Sequence, residues 1–398
     1  MDAAAPFSRD GQPQRETASV SLASQSALRD YEQLCDVAVH APPQGPIWVR
    51  NWSRHHPDTS IIATLSVDRR PVFALALEMV ALGPLRIARF MGGCHANGNF
   101  PATDPTLLDQ ATPTAFAALF DALAGFRPAI DVVLLDRLLP ASDAMPVSRP
   151  NLLLALRPFD SPDISLAVNL SGGFEAMIAS PEGRGKHKRY RSQARKFAAA
   201  GPCRRIEATN SEEVDRFLDA FFEMKAARFA SMGITDVFAP PDVRAFFRNL
   251  FAESLREPSP PFVLHGLEVA GKLRAITGSS RCGNRLICEF GSISEDELCH
   301  LSPGNFLFFD NIREASEQGF TVYDFSIGDE PYKRQWCDTE IRYLETLIPL
   351  TAAGKAYAFA HRQQVRLKTR LKQSPTLWPL LKNMRRILAG RPAKKDSD

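Results

Sequence analysis

The chain has 398 residues, 44% hydrophobic and 23% charged, with a net charge of +3. That length suggests two or three domains, and the composition excludes a collagen, a mostly disordered chain and a small disulfide scaffold. The charge is unevenly spread. Residues 183–205 carry nine Lys/Arg and no acid, residues 355–398 carry twelve Lys/Arg and two Asp, and the other 331 residues hold 27 bases against 43 acids.

Residues 1–25 are rich in Ala, Ser and Gln and read as a disordered lead, neither signal peptide nor membrane anchor. No apolar run approaches the ~18–20 residues of a spanning helix. Seven cysteines show no paired framework, which reads as reduced thiols in a cytoplasmic chain. No C-x-x-C or H-x-x-x-H spacing occurs, so no metal is expected.

In chain order, residues 28–56 read as a helical segment with an aromatic strip. Ser60–Val67 and Pro71–Leu77 flank Asp68-Arg69-Arg70 as a hairpin, and Leu85–Met91 is a third strand leading into a small, polar loop. A helix over Thr112–Gly125 and a strand over Ile130–Asp136 follow, then a connector at Pro140–Pro150. Leu152–Leu156 and Ile164–Asn169 read as strands, and Gly185–Ala200 as a basic helix. Glu212–Met232 and Asp242–Arg256 place their Phe and Leu residues at three- and four-residue steps, as amphipathic helices do.

The first pattern then recurs. Phe262–Val269 and Lys272–Ser279 form a hairpin, Arg285–Ile293 a strand, residues 302–318 a helix and Phe320–Phe325 a strand. Two related α/β domains are expected, over 26–160 and 161–350, followed by a basic helical tail, 351–398. The strand–helix–strand unit places both strand C-termini and the helix N-terminus on one sheet edge, where open α/β sheets bind ligands.

At that edge, Ser302 fits an N-cap, Pro303 the first helical position, and Gly304 leaves backbone N–H groups approachable beside Asn305. Glu289 lies on the alternation face of Ile287, Gly291 and Ile293, where apolar neighbours would raise its pKa toward that of a general base. Its other reading is a solvated edge carboxylate. Asp324 ends the next strand and suits either base work or a turn-forming role. Lys333 and Tyr332 follow on the same edge. Lys188, Arg191 and Arg195 share one helix face, suited to an anionic substrate or to solvent.

Ser302-Pro303-Gly304-Asn305, Asn311-Ile312-Arg313-Glu314-Ala315 and Tyr323-Asp324-Phe325-Ser326-Ile327-Gly328-Asp329-Glu330-Pro331-Tyr332-Lys333, with Trp336 beyond, resemble the GNAT-superfamily acetyltransferases of the cellulose-biosynthesis (CelD-like) type, related to the FemABX transferases. The Lys225…Arg228…Gly233 helix and the Lys188…Arg191…Arg195 helix resemble the same group. The resemblance implies an α+β GNAT-like fold in two tandem domains with mixed sheets. It also implies acetyl-CoA held at 302–305, an acceptor held by Lys188, Arg191, Arg195, Lys225 and Arg228, and catalysis by Glu289 or Asp324 with Tyr332 and Lys333. The usual pyrophosphate loop, Gln/Arg-x-x-Gly-x-Gly/Ala, is absent, and Leu301-Ser302-Pro303-Gly304 takes its place.

The implied activity is acyl transfer to an amino or hydroxyl group of a sugar or polysaccharide-related acceptor. The alternatives are an aminoacyl transferase using charged tRNA, with the basic helix as phosphate track, and a non-catalytic scaffold in polysaccharide synthesis. The tail, with its apolar residues set among bases, suits a membrane-surface or protein partner at the inner face of the membrane, or docking on the chain's own acidic body.

Overall fold

The computed structural model describes residues 16–107, 116–142 and 149–373, which divide into two compact units: the described residues up to 163 with 342–363, and 164–341 with 364–373. The fold is mixed α/β.

Unit 1 begins with β1 (Glu16–Leu22), α1 (Gln25–Cys35) and α2 (Pro46–His55). Then come β2 (Ser60–Val67), β3 (Arg70–Leu82), β4 (Leu85–Phe90), β5 (Ala102–Thr103), α3 (Ala117–Gly125), β6 (Val132–Leu138) and the two-residue strands β7 (Ala141–Ser142) and β8 (Arg149–Pro150). The lead expected over 1–25 is corrected for its described part. Residues 16–22 pair antiparallel with β2, Ala18 opposite Leu65 and Val20 opposite Ala63, and Ala18 and Val20 pack against the core. Leu152–Leu156 is a 3₁₀ turn rather than a strand: the Asn151 side chain accepts the Leu153 N–H and so starts the turn. The helix expected from Thr112 is described from Ala117, and residues 108–115 lie outside the described residues.

Unit 2 takes in the end of β9 (Phe159–Asn169) and continues with α4 (Gly173–Ala179), α5 (Pro181–Ala200), β10 (Cys203–Glu207), α6 (Ser211–Met232) and α7 (Pro241–Ser254). It goes on through β11 (Phe262–Val269), β12 (Lys272–Cys282), β13 (Arg285–Ile293), α8 (Pro303–Glu317), β14 (Val322–Ile327) and α9 (Pro331–Arg334). β15 (Thr339–Pro349) and α10 (Ala352–Gln373) complete the described chain. The unit 2 sheet runs β9-β14-β13-β12-β11-β10, and β13–β14 is its parallel pair.

Both faces of that sheet are covered, which is why its strands are apolar throughout. On one face, Phe197 of α5 and Phe306 and Leu307 of α8 pack on Leu267, Val269 and Ala275. On the other, Phe221, Phe238, Phe247 and Phe251 surround Phe290, with centroids 4.3–6.1 Å apart. Buried aromatics at such spacings gain about 0.5–1.5 kcal/mol per pair beyond their area term. Sequence periodicity had outlined α6 and α7 because those Phe residues recur at helical steps.

Candidate active site

The parallel ladder between β13 and β14 is short. It pairs Arg285 with Val322, Leu286 with Tyr323 and Ile287 with Asp324. Beyond it β13 continues to Ile293 and β14 to Ile327 with no ladder between them. The two strands therefore part at the edge where α8 begins, and the facing backbone N–H and C=O groups of β13 lack a strand partner there.

A bulge shapes this opening. Against β12, Gly278 pairs with Phe290 and Ser279 with Cys288, so Glu289 is the extra residue. A bulged residue is re-aimed out of the alternation. Leu286 and Cys288 belong to the cluster under α8, whereas Phe290 packs among the α6 and α7 phenylalanines. The expectation that Glu289 shares one face with Ile287, Gly291 and Ile293 is therefore corrected, since the alternation inverts at Glu289. Its Oε1 accepts the Ser280 hydroxyl at 2.5 Å, and the residue is half-buried.

Asp324 occupies a different environment. It is 3% exposed. Oδ2 accepts from Arg285 at 2.7 Å, and Oδ1 accepts the Ser326 N–H at 2.7 Å and the Ser165 hydroxyl. Both oxygens are occupied inside the fold, and Ser326 has a left-handed φ of 59° that the Asp324 side chain supports. Of the two roles the sequence allowed, these contacts are those of the turn-forming one: the carboxylate organises the end of β14.

Lys333 is buried on α9, and its Nζ donates to the Ile327 carbonyl at 2.6 Å and pairs with Glu330 at 3.0 Å. It ties down the free end of β14. The Tyr332 ring stacks on Phe308 with centroids 5.9 Å apart, and the residue remains 38% exposed. Burial of the ring pushes its phenol pKa well above the ordinary value, so it stays protonated. Lys225, on α6, lies 5.5 Å from the Phe229 ring centroid, and burial lowers its pKa against the opposing pull of Cys288 and Glu330. Arg228 pairs with Glu295 at 3.1 Å on the surface. Burial pushes the Cys288 thiol up to about 12, which makes it a packing residue and not a nucleophile.

The start of α8 differs from the sequence expectation in two respects. Ser302 has φ 57° and ψ 61° and makes no side-chain cap. The carbonyls before the helix are instead met from α5, where Gln193 Nε2 donates to the Leu301 carbonyl at 2.7 Å. A Cβ on Gly304 would stand 2.9 Å from Ile293 Cγ2, so close packing against β13 explains this glycine. Pro303 is buried at the first helical position, and Asn305 Oδ1 accepts from Trp336 at 3.3 Å.

Lys188, Arg191 and Arg195 are exposed on α5. They lie opposite Tyr190, Gln193 and Phe197, the residues that meet α8 or the sheet beneath it. They face solvent there, the other reading that the sequence allowed. The cations of α5 beside the start of α8 are Lys186 and Arg189, which line a small recess with Asn305, Phe309, Gln335 and Trp336. Lys186 Nζ sits 5.4 Å over the Trp336 ring, and burial lowers its pKa. Marking Tyr190, Gln193 and Phe197 as one buried stripe would have put Lys186 and Arg189 on the inner side.

Among the described residues, Glu207, His265 and Glu314 bring three potential metal donors within 4.8 Å of one another. Arg205 pairs with Glu314 and Arg281 lies 3.9 Å from Glu207, so both carboxylates are already compensated.

Residues 184–334 match the family model described as an acetyltransferase (GNAT) domain. The matched stretch lies wholly within unit 2, which is similar to GNAT-type acetyltransferase domains over those residues. Solved structures extend the similarity to most of the chain at the level of fold. FemX is 10% identical with a TM-score of 0.51, over 82% of this chain and 97% of that one. L-PGS from Bacillus licheniformis is 10% identical with a TM-score of 0.50, over 87% and 97%. A tandem GNAT protein from the clavulanic acid biosynthesis pathway is 12% identical with a TM-score of 0.45, over 85% and 99%. No curated protein matches the sequence. Among the described residues, no helix is long and apolar enough to cross a membrane.

Proposed function

We propose that unit 2 transfers an acyl group, acetyl in the simplest case, from acyl-CoA to an amino or hydroxyl group of a sugar or polysaccharide-related acceptor, as in the CelD-like type that residues 300–336 resemble. The observation that carries this reading is the parting of β13 and β14 beside the start of α8, with the Glu289 bulge at its edge. An opening between strands exposes backbone N–H groups, which suit a thioester carbonyl and the oxyanion that forms from it.

In this reading the acceptor's N–H or O–H attacks the thioester carbonyl and the C–S bond breaks. Glu289, held by Ser280, accepts the acceptor's proton. Tyr332 keeps its proton near neutrality and donates it to the leaving thiolate. Lys333 holds the end of β14 in place. The first-turn N–H groups of α8, with Lys186 and Arg189, suit the phosphates of CoA. Lys225 lies on the acceptor's side of these groups by the same reading.

Calorimetric titration of the full chain with acetyl-CoA tests the proposal. Binding is expected with a dissociation constant below about 1 mM, within the usual range for such substrates. Glu289→Gln is expected to lower kcat by ~10²–10⁴ while acetyl-CoA affinity holds, as removal of a general base does. No acetyl-CoA binding, with a gel shift by charged tRNA, would replace this reading by aminoacyl transfer. Binding without turnover on any amine or sugar acceptor would replace it by a scaffold.

A further inference from the structure

Helix α10 has two unlike sides. Gly354, Ala358 and Val365 are buried, at steps of four and seven, and His361 and Thr369 continue the line half-buried. This inner side is anchored. The Gly354 backbone lies so close to the Asp131 carbonyl oxygen that a Cβ would stand 1.8 Å from it, and Thr351 Oγ1 donates to Asp131 at 2.6 Å. Ala358 packs with Ile87, Val132 and Leu347, and His361 Nε2 lies 3.0 Å from Glu345.

The outer side is different. Phe359 is 67% and Leu367 59% exposed, the two most exposed large apolar residues described. Lys355, Arg362, Arg366 and Arg370 are exposed and recur on the same side at seven- and four-residue steps. The helix holds six Lys/Arg and no Asp/Glu over 22 residues. Arg362 lies 5.4 Å over the Phe159 ring. Among the described residues, Lys355, Arg366 and Arg370 make no ion pair.

We propose that this outer face of α10 docks on an anionic lipid surface, with Phe359 and Leu367 entering the headgroup boundary and the cations meeting lipid phosphates. The occupant follows from charge complementarity. Outside residues 183–205 and 355–398 the chain is strongly acidic, so a negative surface attracts it only at those segments. Exposed aromatic and leucine side chains ringed by Lys/Arg on an inwardly anchored helix supply both signals that interfacial binding needs, apolar insertion and headgroup attraction. This inference is independent of the acyl-transfer reading, because none of its residues belongs to the opening between β13 and β14.

Flotation of the full chain with vesicles tests it. Binding is expected to phosphatidylcholine vesicles holding about 30% phosphatidylglycerol and not to pure phosphatidylcholine, and to weaken as NaCl rises from about 0.05 to about 0.5 M. Phe359→Ser with Leu367→Ser is expected to reduce the bound fraction about tenfold. The circular-dichroism melt of this variant should be unchanged, because both side chains are exposed. Arg366→Glu with Arg370→Glu should do the same through charge alone. Absence of flotation with the anionic vesicles overturns the proposal. So does equal binding to both vesicle types, or wild-type binding by either double variant, and heparin binding without vesicle binding would move the face to a soluble polyanion.

Discussion

The two units treat the same gap in opposite ways. In unit 1 the parallel pair β4–β6 joins Ile87 to Val132, Ala88 to Val133 and Arg89 to Leu134, much as β13 joins β14 in unit 2. Beyond it unit 1 fills the space with its own chain. Asn99 bridges to β6 at Leu138, donating its N–H to the Arg137 carbonyl at 2.8 Å and accepting the Leu139 N–H at 2.9 Å. Gln44 clamps this segment: its Nε2 donates to Asn99 Oδ1 at 2.7 Å, and its Oε1 accepts the Phe100 N–H at 3.0 Å. Both Gln44 and Asn99 are fully buried.

Unit 2 draws the corresponding segment the other way. Ser294 donates its N–H to the Arg274 carbonyl at 2.9 Å, and the Arg274 side chain pairs with Asp296 and Glu297. Those contacts hold the segment against β12, and α8 starts with the gap unfilled. The lesson is that a repeated strand–helix–strand pattern does not by itself make a site. The connecting loop decides whether the strand ends receive a ligand or are completed from within.

The comparison can be broken at either unit. The largest effect is expected from Asp324→Ala, which removes the carboxylate opposite the buried Arg285 guanidinium. Losing one partner of a buried pair costs about 3–5 kcal/mol, read by urea unfolding. Unit 1 has Leu134 and Arg89 at the end of its own ladder, where the half-buried Arg89 pairs with the buried Glu78 at 2.8 Å.

Next comes Gln44→Ala, which removes two hydrogen bonds from the unit 1 filling and leaves polar groups of Asn99 and Phe100 unsatisfied. A loss of about 2–3 kcal/mol is expected in the same assay. Acetyl-CoA affinity should be unchanged, because the clamp serves a gap that is already closed. A lowered affinity would show that unit 1's filling shapes the binding site.

The smallest effect concerns His265 of unit 2. Burial lowers its pKa, outweighing the hydrogen bond to Glu207 that raises it. The folded chain thus keeps this imidazole neutral where the unfolded chain protonates it, near pH 6.5. The unfolded state then binds more protons, so stability should fall as pH drops below about 6.5. His265→Gln should flatten that part of the stability profile, measured by denaturant midpoints from pH 7 to pH 5. An unchanged slope would mean that other groups set it.

Much of the fold was legible in the sequence for a simple reason. The two hairpins, the strands Val132–Leu138 and Arg285–Ile293, and helices α6 and α7 carry their burial in the local spacing of Phe, Leu, Ile and Val. Shorter or polar elements were not legible. β10 reads as Cys203-Arg204-Arg205-Ile206-Glu207, and its place beside β11 rests on Arg204 and Arg216 meeting Glu268. At the site, Tyr332 and Lys333 stood out in a motif and Glu289 by its place among apolar strand residues, while their environments did not.

What the sequence determined alone was the amphipathic outline, the recurring strand–helix–strand pattern and the placing of charge in two basic segments, because each depends on near neighbours along the chain. Tertiary structure decided which gap stays open, that Glu289 lies in a bulge, that Asp324 is sealed by Arg285, and that Lys186 rather than Lys188 flanks α8. Each of these is set by register and contact between residues far apart in sequence. A one-residue bulge or a loop tied to a different strand changes them without altering any local pattern.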